Sequence, residues 1–420
     1  MNGVKIMAVV LACLILSGCA VPASVGTGEK NAPAPQTAVP DNAETTPELP
    51  DPPVVSEPEP AETEPQEDRW LTLMVVGDIM VHDEQLQAAW DEQRKSYDFA
   101  PSFAKVIPIF QEADILIGNL ETTLAGKERR YTGYPEFNSP ETLAETLKQA
   151  GFTAVTTANN HSLDRREAGV LHTLDVLDQA GLPHTGTFRS AEQRNEPLIL
   201  EKNGIRIGVL AYTYGTNGIP LPEGKPYLVN LYDQALLKGD AARARELGAD
   251  VVAVALHFGA EYQRMPNSIQ RQWVDQCFAA GVDIVLGSHP HVVQPYEWRT
   301  VTGADGVQRK VFAIYSLGNF ISAQRGDYKD AGVILRLVLH KGTDGRTAVE
   351  EAKVVPTYVH FYRTGGKRNY VIYPLPYAQE AVGQNKQETH LTPQVLQKMD
   401  SIYKEIQRHV ESLQPKEKAS

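Results

Sequence analysis

Short apolar runs alternate along the chain with segments in which apolar residues recur at helical spacing. Residues 71–77 are typical of the first kind, because the run has the length of a buried strand and is followed by a polar residue. Residues 163–180 are typical of the second kind, since Val170 and Leu174 share a helical face and Gly181 ends the pattern. The alternation predicts a fold built from both strands and helices.

The same reasoning extends over the body of the chain. It predicts strands at 71–77, 114–118, 152–157, 205–211, 251–256, 282–286, 311–316, 333–339 and 353–359. It predicts helices at 140–150 (with Ser139 as the N-cap), 163–180, about 232–247, 268–280 and 391–413. Because strands and helices alternate early and strands dominate later, we expect a layered α/β fold.

The first nineteen residues have the pattern of an export signal. Lys5 is followed by an unbroken apolar run at 6–16, which is too short to span a bilayer. The residues Leu16-Ser17-Gly18-Cys19 then resemble the bacterial lipobox. In a lipobox the peptide is cut before the cysteine, and this new N-terminal cysteine is acylated. This resemblance implies lipidation at Cys19 and a lipid-anchored protein at the extracytoplasmic face of the membrane. An ordinary cleaved signal peptide is the alternative.

Residues 20–68 have the composition of a disordered tether. They hold eleven of the 28 prolines and eleven acidic residues, with almost no large apolar side chain to bury. The remaining chain divides into a main domain at 69–380 and a C-terminal helical tail at 381–420. We therefore expect a solvated spacer between the membrane and the domain.

Charge and cysteine content exclude two classes of protein. The formal net charge is −12, of which residues 20–68 carry −10, so the body is nearly neutral and a general nucleic-acid binder is excluded. Cys277 is the only one of the three cysteines in the body, so no internal disulfide can hold the fold. On its predicted helix Cys277 should be a small buried apolar residue.

Polar side chains follow five of the predicted strands, at the point where each strand ends. They are Asp78, then Asn119 and Glu121, then Asn160 and His161, then His257, and finally His289 and His291. Ligands in open α/β sheets bind beyond the carboxyl ends of strands, so five loops could converge on one site. In an extended chain Pro290 would orient His289 and His291 in the same direction.

These residue types suggest a divalent metal site. Carboxylate, amide oxygen and imidazole form a mixed oxygen and nitrogen ligand set that suits Mn, Fe, Zn or Mg. Two close ions can clamp a phosphoryl group and activate a bound water, and a neighbouring histidine can protonate the leaving oxygen. The pattern leaves open whether one or two ions bind.

The order of these motifs resembles the calcineurin-type metallophosphoesterases, and more closely the CapA family of poly-γ-glutamate capsule biosynthesis proteins, also called PgsA. The matching motifs include Gly77-Asp78, Asn119-Leu120-Glu121, Asn159-Asn160-His161, His257-Phe258-Gly259, Gly287-Ser288-His289-Pro290-His291 and Tyr315-Ser316-Leu317-Gly318-Asn319. The resemblance implies an αββα sandwich of mixed sheets flanked by helices. It also implies a metallophosphoesterase-like site.

Carried over to this chain, the resemblance assigns a metal-ligand role to five residues and a proton-donor role to a sixth. The ligands are Asp78, Asn160, His257, His289 and His291, and the proton donor is His161. Two positions depart from the phosphoesterase pattern. Met80 stands where that pattern has a histidine, with His82 two residues later. Asn119 stands where it has the bridging aspartate, with Glu121 as an alternative metal ligand.

Three functions remain open from the sequence. The first is a CapA-type protein in the synthesis, export or tethering of an anionic polymer such as poly-γ-glutamate, for which the resemblance implies membrane-bound synthase components as partners. The second is a metal-dependent phosphoesterase acting on a cell-envelope phosphoester. The third is a non-catalytic polymer-binding module on the same fold. The missing histidine at Met80 favours the first or third, and the retained Asn160 and His161 favour metal chemistry.

Overall fold

The computed structural model of the protein describes residues 67–303, 306–375, 388 and 390–414. The predicted signal peptide, the lipidation site at Cys19 and the tether up to residue 66 therefore lie outside the described residues. Among those residues, no helix is both long enough and apolar enough to cross a membrane.

The first of two large sheets has eight strands. Its path runs through β16 (Lys367–Pro374), β15 (Thr347–Thr364), β14 (Ala331–Lys341), β1 (Arg69–Ile79), β4 (Ile115–Leu120), β5 (Ala154–Thr156) and β6 (His184–Thr185), and β13 (Asn319–Ile321) pairs with β1. Strands β1, β4, β5 and β6 are parallel to one another, whereas β14, β15 and β16 are antiparallel to their neighbours. The sheet is therefore mixed.

The second large sheet has six strands and a similar plan. Its order is β11 (Val293–Thr302), β12 (Gln308–Leu317), β10 (Ile284–Ser288), β9 (Val251–His257), β8 (Ile205–Thr213) and β7 (Leu198–Lys202). The four central strands are parallel, and the two edge strands are antiparallel to them. A small separate hairpin pairs β2 (Trp90–Asp91) with β3 (Ser96–Tyr97).

Helices lie between the strands along the chain. They are α1 (Asp83–Ala89), α2 (Ala100–Phe103), α3 (Ile107–Phe110), α4 (Thr142–Gln149), α5 (Arg166–Gln179), α6 (Ala191–Arg194), α7 (Gln234–Glu246), α8 (Ser268–Ala279) and α9 (Pro393–Val410), with a 3₁₀ turn at Lys127–Arg129. The N-caps of α7, α8 and α9 are Asp233, Asn267 and Thr392, each of which accepts a backbone N–H of the first turn.

The two large sheets pack face to face with helices on their outer faces. Alternating residues of β1 show this arrangement. Leu73 and Val75 belong to a core shared with β8 and β12 of the second sheet. Met74 and Val76, on the other face of the strand, pack against helices α1 to α4. A third cluster fills the space between the second sheet and helices α7 and α8. The predicted αββα sandwich of mixed sheets flanked by helices is confirmed.

The C-terminal helix α9 is packed into this body. Its buried residues Met399, Ile402, Ile406 and Val410 belong to the same core that lies between the two sheets. They recur at three- and four-residue spacing, which places one apolar stripe of the helix on the sheets. Helix α9 therefore contributes to the stability of the domain.

The structure corrects the start of two predicted helices. Helix α4 begins at Thr142, and Ser139 is not its N-cap, because the Ser139 hydroxyl is hydrogen-bonded to that of Thr122 at 2.8 Å. Helix α5 begins at Arg166, three residues after the predicted start at residue 163. The sequence analysis did not predict strands β2, β3, β6, β7, β11, β13 and β16 or helices α1, α2, α3 and α6. Cys277 is a free, buried thiol, as predicted.

Two glycines provide a matched test of the packing around the second sheet. A Cβ atom on Gly287 of β10 would lie 2.0 Å from the carbonyl oxygen of Tyr315 in β12, whereas one on Gly239 of α7 would meet nothing within 4 Å. We expect Gly287→Ala to lower the free energy of unfolding by about 1–3 kcal/mol through overpacking. Gly239→Ala should raise it by about 0.5–1 kcal/mol, because alanine favours a helix interior. Urea denaturation measures both, and equal effects of the two substitutions would contradict the prediction.

Candidate metal centre

The side chains predicted from the strand ends come together at one edge of the two sheets. Asp78 is near the end of β1, and Asn119 and Glu121 lie at the end of β4 and just after it. His257 is the last residue of β9. The loops after β5 and β10 supply Asn160, His161, His289 and His291. Every one of these side chains is buried, with at most 6% of its surface exposed.

His257 connects the two sheets. Its Nε2 atom lies 2.7 Å from Oδ1 of Asn160 and 3.3 Å from Oε1 of Glu121, both from the first sheet. Its Nδ1 atom lies 2.9 Å from the hydroxyl of Ser288 at the end of β10. Both ring nitrogens are therefore oriented by fixed polar neighbours.

Asp78 and His291 form a second contact between the sheets. The Asp78 Oδ2 atom lies 3.1 Å from Nδ1 of His291, and its Oδ1 atom accepts a hydrogen bond of 2.9 Å from the side-chain amide of Asn119. The Asn119 oxygen in turn accepts a bond from Thr156. Asn119 therefore turns its nitrogen, which is not a metal ligand, toward Asp78, and in this orientation Glu121 is the better ligand of the two.

Glu121 is central to the cluster. Among the described residues its ligand atoms form one close group with His257 and His289 and another with Asp78 and His291. Its carboxylate is fully buried, yet neither oxygen makes a hydrogen bond to any described residue. A buried carboxylate without a donor is costly, and a divalent cation would remove that cost. The donor set of carboxylate and imidazole therefore fits a metal ion, and the shared Glu121 fits a bridging position between two ions.

Burial controls the protonation of the cluster. Desolvation and the neighbouring charge of Asp78 hold the pKa of Glu121 well above its usual value. Desolvation, with the nearby histidines, lowers the pKa of His257 well below 6.5 and that of His289 to about 3. Both imidazoles are consequently neutral at physiological pH, which is the form that binds metals, whereas Glu121 must release a proton when an ion binds.

His161 has a carboxylate partner. Its Nδ1 atom lies 2.7 Å from Oδ2 of Asp164, and the same oxygen accepts a 2.6 Å bond from the backbone N–H of Phe137. The Phe137 ring packs edge-on against the imidazole, with 4.6 Å between centroids. Asp164 thus fixes the ring and assigns the Nδ1 proton, which leaves Nε2 for proton transfer. The sequence analysis did not identify Asp164.

The segment His289-Pro290-His291 is not the extended chain that the sequence suggested. His289 has a φ of 96° and His291 a φ of 58°, so both occupy the left-handed region that non-glycine residues rarely adopt. The alternation argument for two parallel side chains is therefore wrong. The imidazoles nevertheless lie close together, with 5.8 Å between their centroids, because the strained turn redirects both rings.

Met80 and His82 do not restore the missing histidine. Met80 is buried and offers only a thioether sulfur, which is a soft ligand. His82 directs Nδ1 at Gln85 and at the backbone N–H of Ala323, and its ring packs edge-on against Phe137. Burial lowers the pKa of His82 to about 4. Within the described part of the chain His82 belongs to none of the ligand groups around Glu121.

Three further residues at the site were not predicted as functional. Asn217, in the loop after β8, accepts a 3.0 Å hydrogen bond from the side-chain amide of Asn160. Tyr214, from the same loop, packs on His289 with 4.7 Å between ring centroids. Glu261 forms a ligand group with His289 and His291. Strand β8 is parallel to β9, so its carboxyl end was the signal that could have located Tyr214 and Asn217.

Comparison with known proteins gives one matching family model and several related sequences. A family model described as "Bacterial capsule synthesis protein PGA_cap" matches residues 72–324. "Capsule biosynthesis protein CapA" of Bacillus anthracis is 27% identical over 266 residues, which cover 62% of this chain and 61% of that protein. "PGA biosynthesis protein CapA" of Bacillus subtilis is 28% identical over 284 residues, which cover 66% of this chain and 70% of that protein. The aligned region thus spans about two thirds of the length of these relatives.

The solved structures that the chain resembles are more distant in sequence than these relatives. The calcineurin-like phosphoesterase YfkN from Bacillus subtilis is 14% identical with a TM-score of 0.41, covering 81% of this chain and 99% of that one. A putative 5′-nucleotidase from Staphylococcus aureus is 17% identical with a TM-score of 0.45, covering 71% of this chain and 56% of that one.

Proposed function

The chain belongs to the bacterial capsule synthesis protein family PGA_cap, and from this premise we propose that it is a metal-dependent protein of capsule synthesis. In this proposal it acts on an anionic capsule polymer such as poly-γ-glutamate, in its synthesis, export or tethering. The motifs at the strand ends predicted this family, and the family model covers all of them. Membrane-bound polymer synthase components are the proposed partners.

The observation that carries the metal-dependent part is the environment of Glu121. Its two buried oxygens accept no hydrogen bond from the described residues, while the imidazoles of His257, His289 and His291 lie around it. Glu121, Asp78 and His291 would hold one ion, and Glu121, His257 and His289 a second, with the Asn160 oxygen close to His257. The ligand chemistry suits Mn, Fe, Zn or Mg.

The remaining residues of the site orient the histidine rings or transfer protons. Ser288 and Asn160 fix the ring of His257, and Asn319 lies 3.1 Å from Nδ1 of His291. Asp164 keeps the Nδ1 proton on His161, so that Nε2 can exchange a proton with a bound group. A bound divalent ion supplies Lewis acidity and charge neutralisation for an anionic substrate.

The pair His161–Asp164 favours a second candidate function, which is hydrolysis of a cell-envelope phosphoester. An imidazole oriented by a buried carboxylate is the arrangement of a general acid or base, and a polymer-binding module would not need it. Loss of the histidine at position 80 weighs against a complete phosphoesterase site. Measuring phosphoester hydrolysis by the purified protein therefore decides between the two functions.

For localisation we propose anchoring by lipid at Cys19, with the folded body on the extracytoplasmic side. The support is the sequence Leu16-Ser17-Gly18-Cys19 after a charged start and an apolar run of eleven residues. Two or more acyl chains on one residue give stable membrane association.

A gene-replacement experiment tests the function. We expect deletion of the gene in its host to reduce the anionic polymer at the cell surface, measured by dye binding and by size-fractionated extraction. The wild-type chain and the surface control Glu196→Gln should restore the polymer, whereas Glu121→Gln should not. Cys19→Ser should block lipidation and leave either an uncut precursor or a released form, and mass spectrometry of the wild-type protein checks for the acyl groups. Full restoration by Glu121→Gln would contradict the metal-dependent role.

A further inference from the structure

We propose that the carboxylate of Glu261 is a further ligand of the divalent ion held by Asp78, Glu121 and His291. The inference rests on the metal-dependent function proposed above. It adds to the strand-end residues a ligand from the loop that follows β9, on the solvent side of the cluster.

The first support is the position of the carboxylate. Glu261, His289 and His291 each direct one ligand atom into a group whose members lie within 4.8 Å of one another. Glu261 is exposed, whereas both histidines are at most 4% exposed. The Nδ1 atom of His289 is buried and has no hydrogen-bond partner in the described part of the chain. This nitrogen is therefore free to bind a cation.

The second support comes from the nitrogens of His291. Its Nδ1 atom already faces Asp78 and Asn319, each at 3.1 Å, so Nε2 is the nitrogen left for an ion. That Nε2 atom lies 3.9 Å from Oε1 of Glu121. We take Nε2 of His291 as its ligand atom in both groups, which would place Glu261 and Glu121 around the same ion.

The third support is that the backbone around Glu261 is fixed. The N–H of Tyr262 donates a 2.8 Å bond to the carbonyl of Pro290, between the two histidines. The carbonyl of Gln263 accepts a 2.7 Å bond from the buried amide of Gln294. These bonds hold Glu261 over the turn that carries His289 and His291, although its side chain is exposed.

The fourth support is the small number of protein ligands that the other residues provide for this ion. Asp78, Glu121 and His291 provide three protein ligands for their ion, because Met80 stands where the phosphoesterase pattern has a histidine. Glu261 brings the number of protein ligands to four, which is the number found in structural zinc sites. Its exposure leaves this ligand where a substrate oxygen could replace it.

The test is a calorimetric titration of the full-length protein with Mn²⁺ alone. We expect Glu261→Gln to weaken Mn²⁺ binding by about tenfold or more. Glu261→Asp, which keeps a shorter carboxylate, should bind with intermediate affinity. The matched control is Glu196→Gln, an exposed glutamate that is in no ligand group of the described residues and should bind as the wild type does. Circular dichroism verifies that all variants are folded.

The outcomes separate this inference from the proposed function. Unchanged Mn²⁺ affinity in Glu261→Gln, together with lost binding in Glu121→Gln, would overturn the role of Glu261 and leave the metal centre standing. A wild-type protein that binds no Mn²⁺ would overturn both. Weakened binding in Glu261→Gln with partial recovery in Glu261→Asp supports the inference.

Discussion

Glu121→Gln is expected to stabilise the metal-free protein and to destabilise the metal-loaded one. Without an ion, Glu121 has no hydrogen-bond donor among the described residues and burial raises its pKa, so folding at neutral pH carries the cost of protonating it, which a neutral amide avoids. With an ion, the same substitution removes the ligand shared by two groups. Urea denaturation in chelator and in Mn²⁺ measures both effects. Wild-type protein should gain about 2.7 kcal/mol at a hundredfold excess of Mn²⁺ over its Kd, and the variant should gain little.

The pH dependence gives an independent test of the same residue. The pKa of Glu121 is raised in the folded protein from its usual value of 4.5, so the folded state holds a proton that the unfolded chain releases. The free energy of unfolding of the metal-free wild type should therefore fall as the pH rises above about 4.5. In Glu121→Gln this decrease should be smaller. Identical pH profiles for the two proteins would show that Glu121 is solvated or otherwise neutralised.

His289→Ala is the companion substitution for the metal prediction. It removes a ligand with a pKa of about 3, which is neutral at physiological pH, so it changes no charge of the metal-free protein. Loss of the Mn²⁺-dependent gain in His289→Ala is expected because His289 belongs to two of the ligand groups. Retention of the full gain would exclude His289 as a ligand.

The sequence predicted the central strands well because their two faces are both buried. Strand β1 is apolar on both sides, since one face packs on the second sheet and the other on helices, and this gives a continuous run. Strand β11 was missed because its later residues are only partly buried, which leaves no clear run or alternation. Burial at a sheet edge depends on tertiary packing that composition does not reveal.

The start of α5 shows a second limit of sequence patterns. The spacing of Val170 and Leu174 predicted the helix, but not the turn that precedes it. In that turn the Asn159 side chain accepts the N–H of His161, and the Ser162 hydroxyl bonds to the carbonyl of Thr157. Such bonds between side chains and backbone compete with helical hydrogen bonds, so the helix begins later, at Arg166.

The sequence could predict that the strand-end side chains lie close together, but not how each of them is oriented. Parallel strands of one sheet end at one edge, which brings Asp78 and Glu121 together, and the packing of the second sheet on the first adds His257. Strand alternation places positions 119 and 121 on one side, but only the hydrogen bonds of Asn119 show that Glu121 presents its oxygens. The left-handed conformation of His289 is held by the surrounding structure, so local sequence could not reveal it.

His161→Gln is expected to separate catalysis from metal binding. The His161 ring is fixed by Asp164, and His161 is in none of the ligand groups of the described residues. If the site hydrolyses phosphoesters, the substitution should lower turnover of an activated aryl phosphodiester in Mn²⁺ by about 10²–10⁴-fold, the usual contribution of a general acid. Mn²⁺ affinity should stay unchanged, because glutamine removes only a group that transfers protons.

Asp164→Asn provides the matched comparison for His161→Gln. Asparagine can still accept the backbone bond from Phe137, but it no longer carries the charge that orients the His161 proton. We expect a smaller loss of turnover than in His161→Gln, again with unchanged Mn²⁺ affinity, measured by the same assay and titration. Loss of Mn²⁺ binding in His161→Gln would make His161 a ligand and contradict the assignment. Wild-type protein that binds Mn²⁺ tightly but hydrolyses no phosphoester would instead identify the site as a metal-dependent binding module for the polymer.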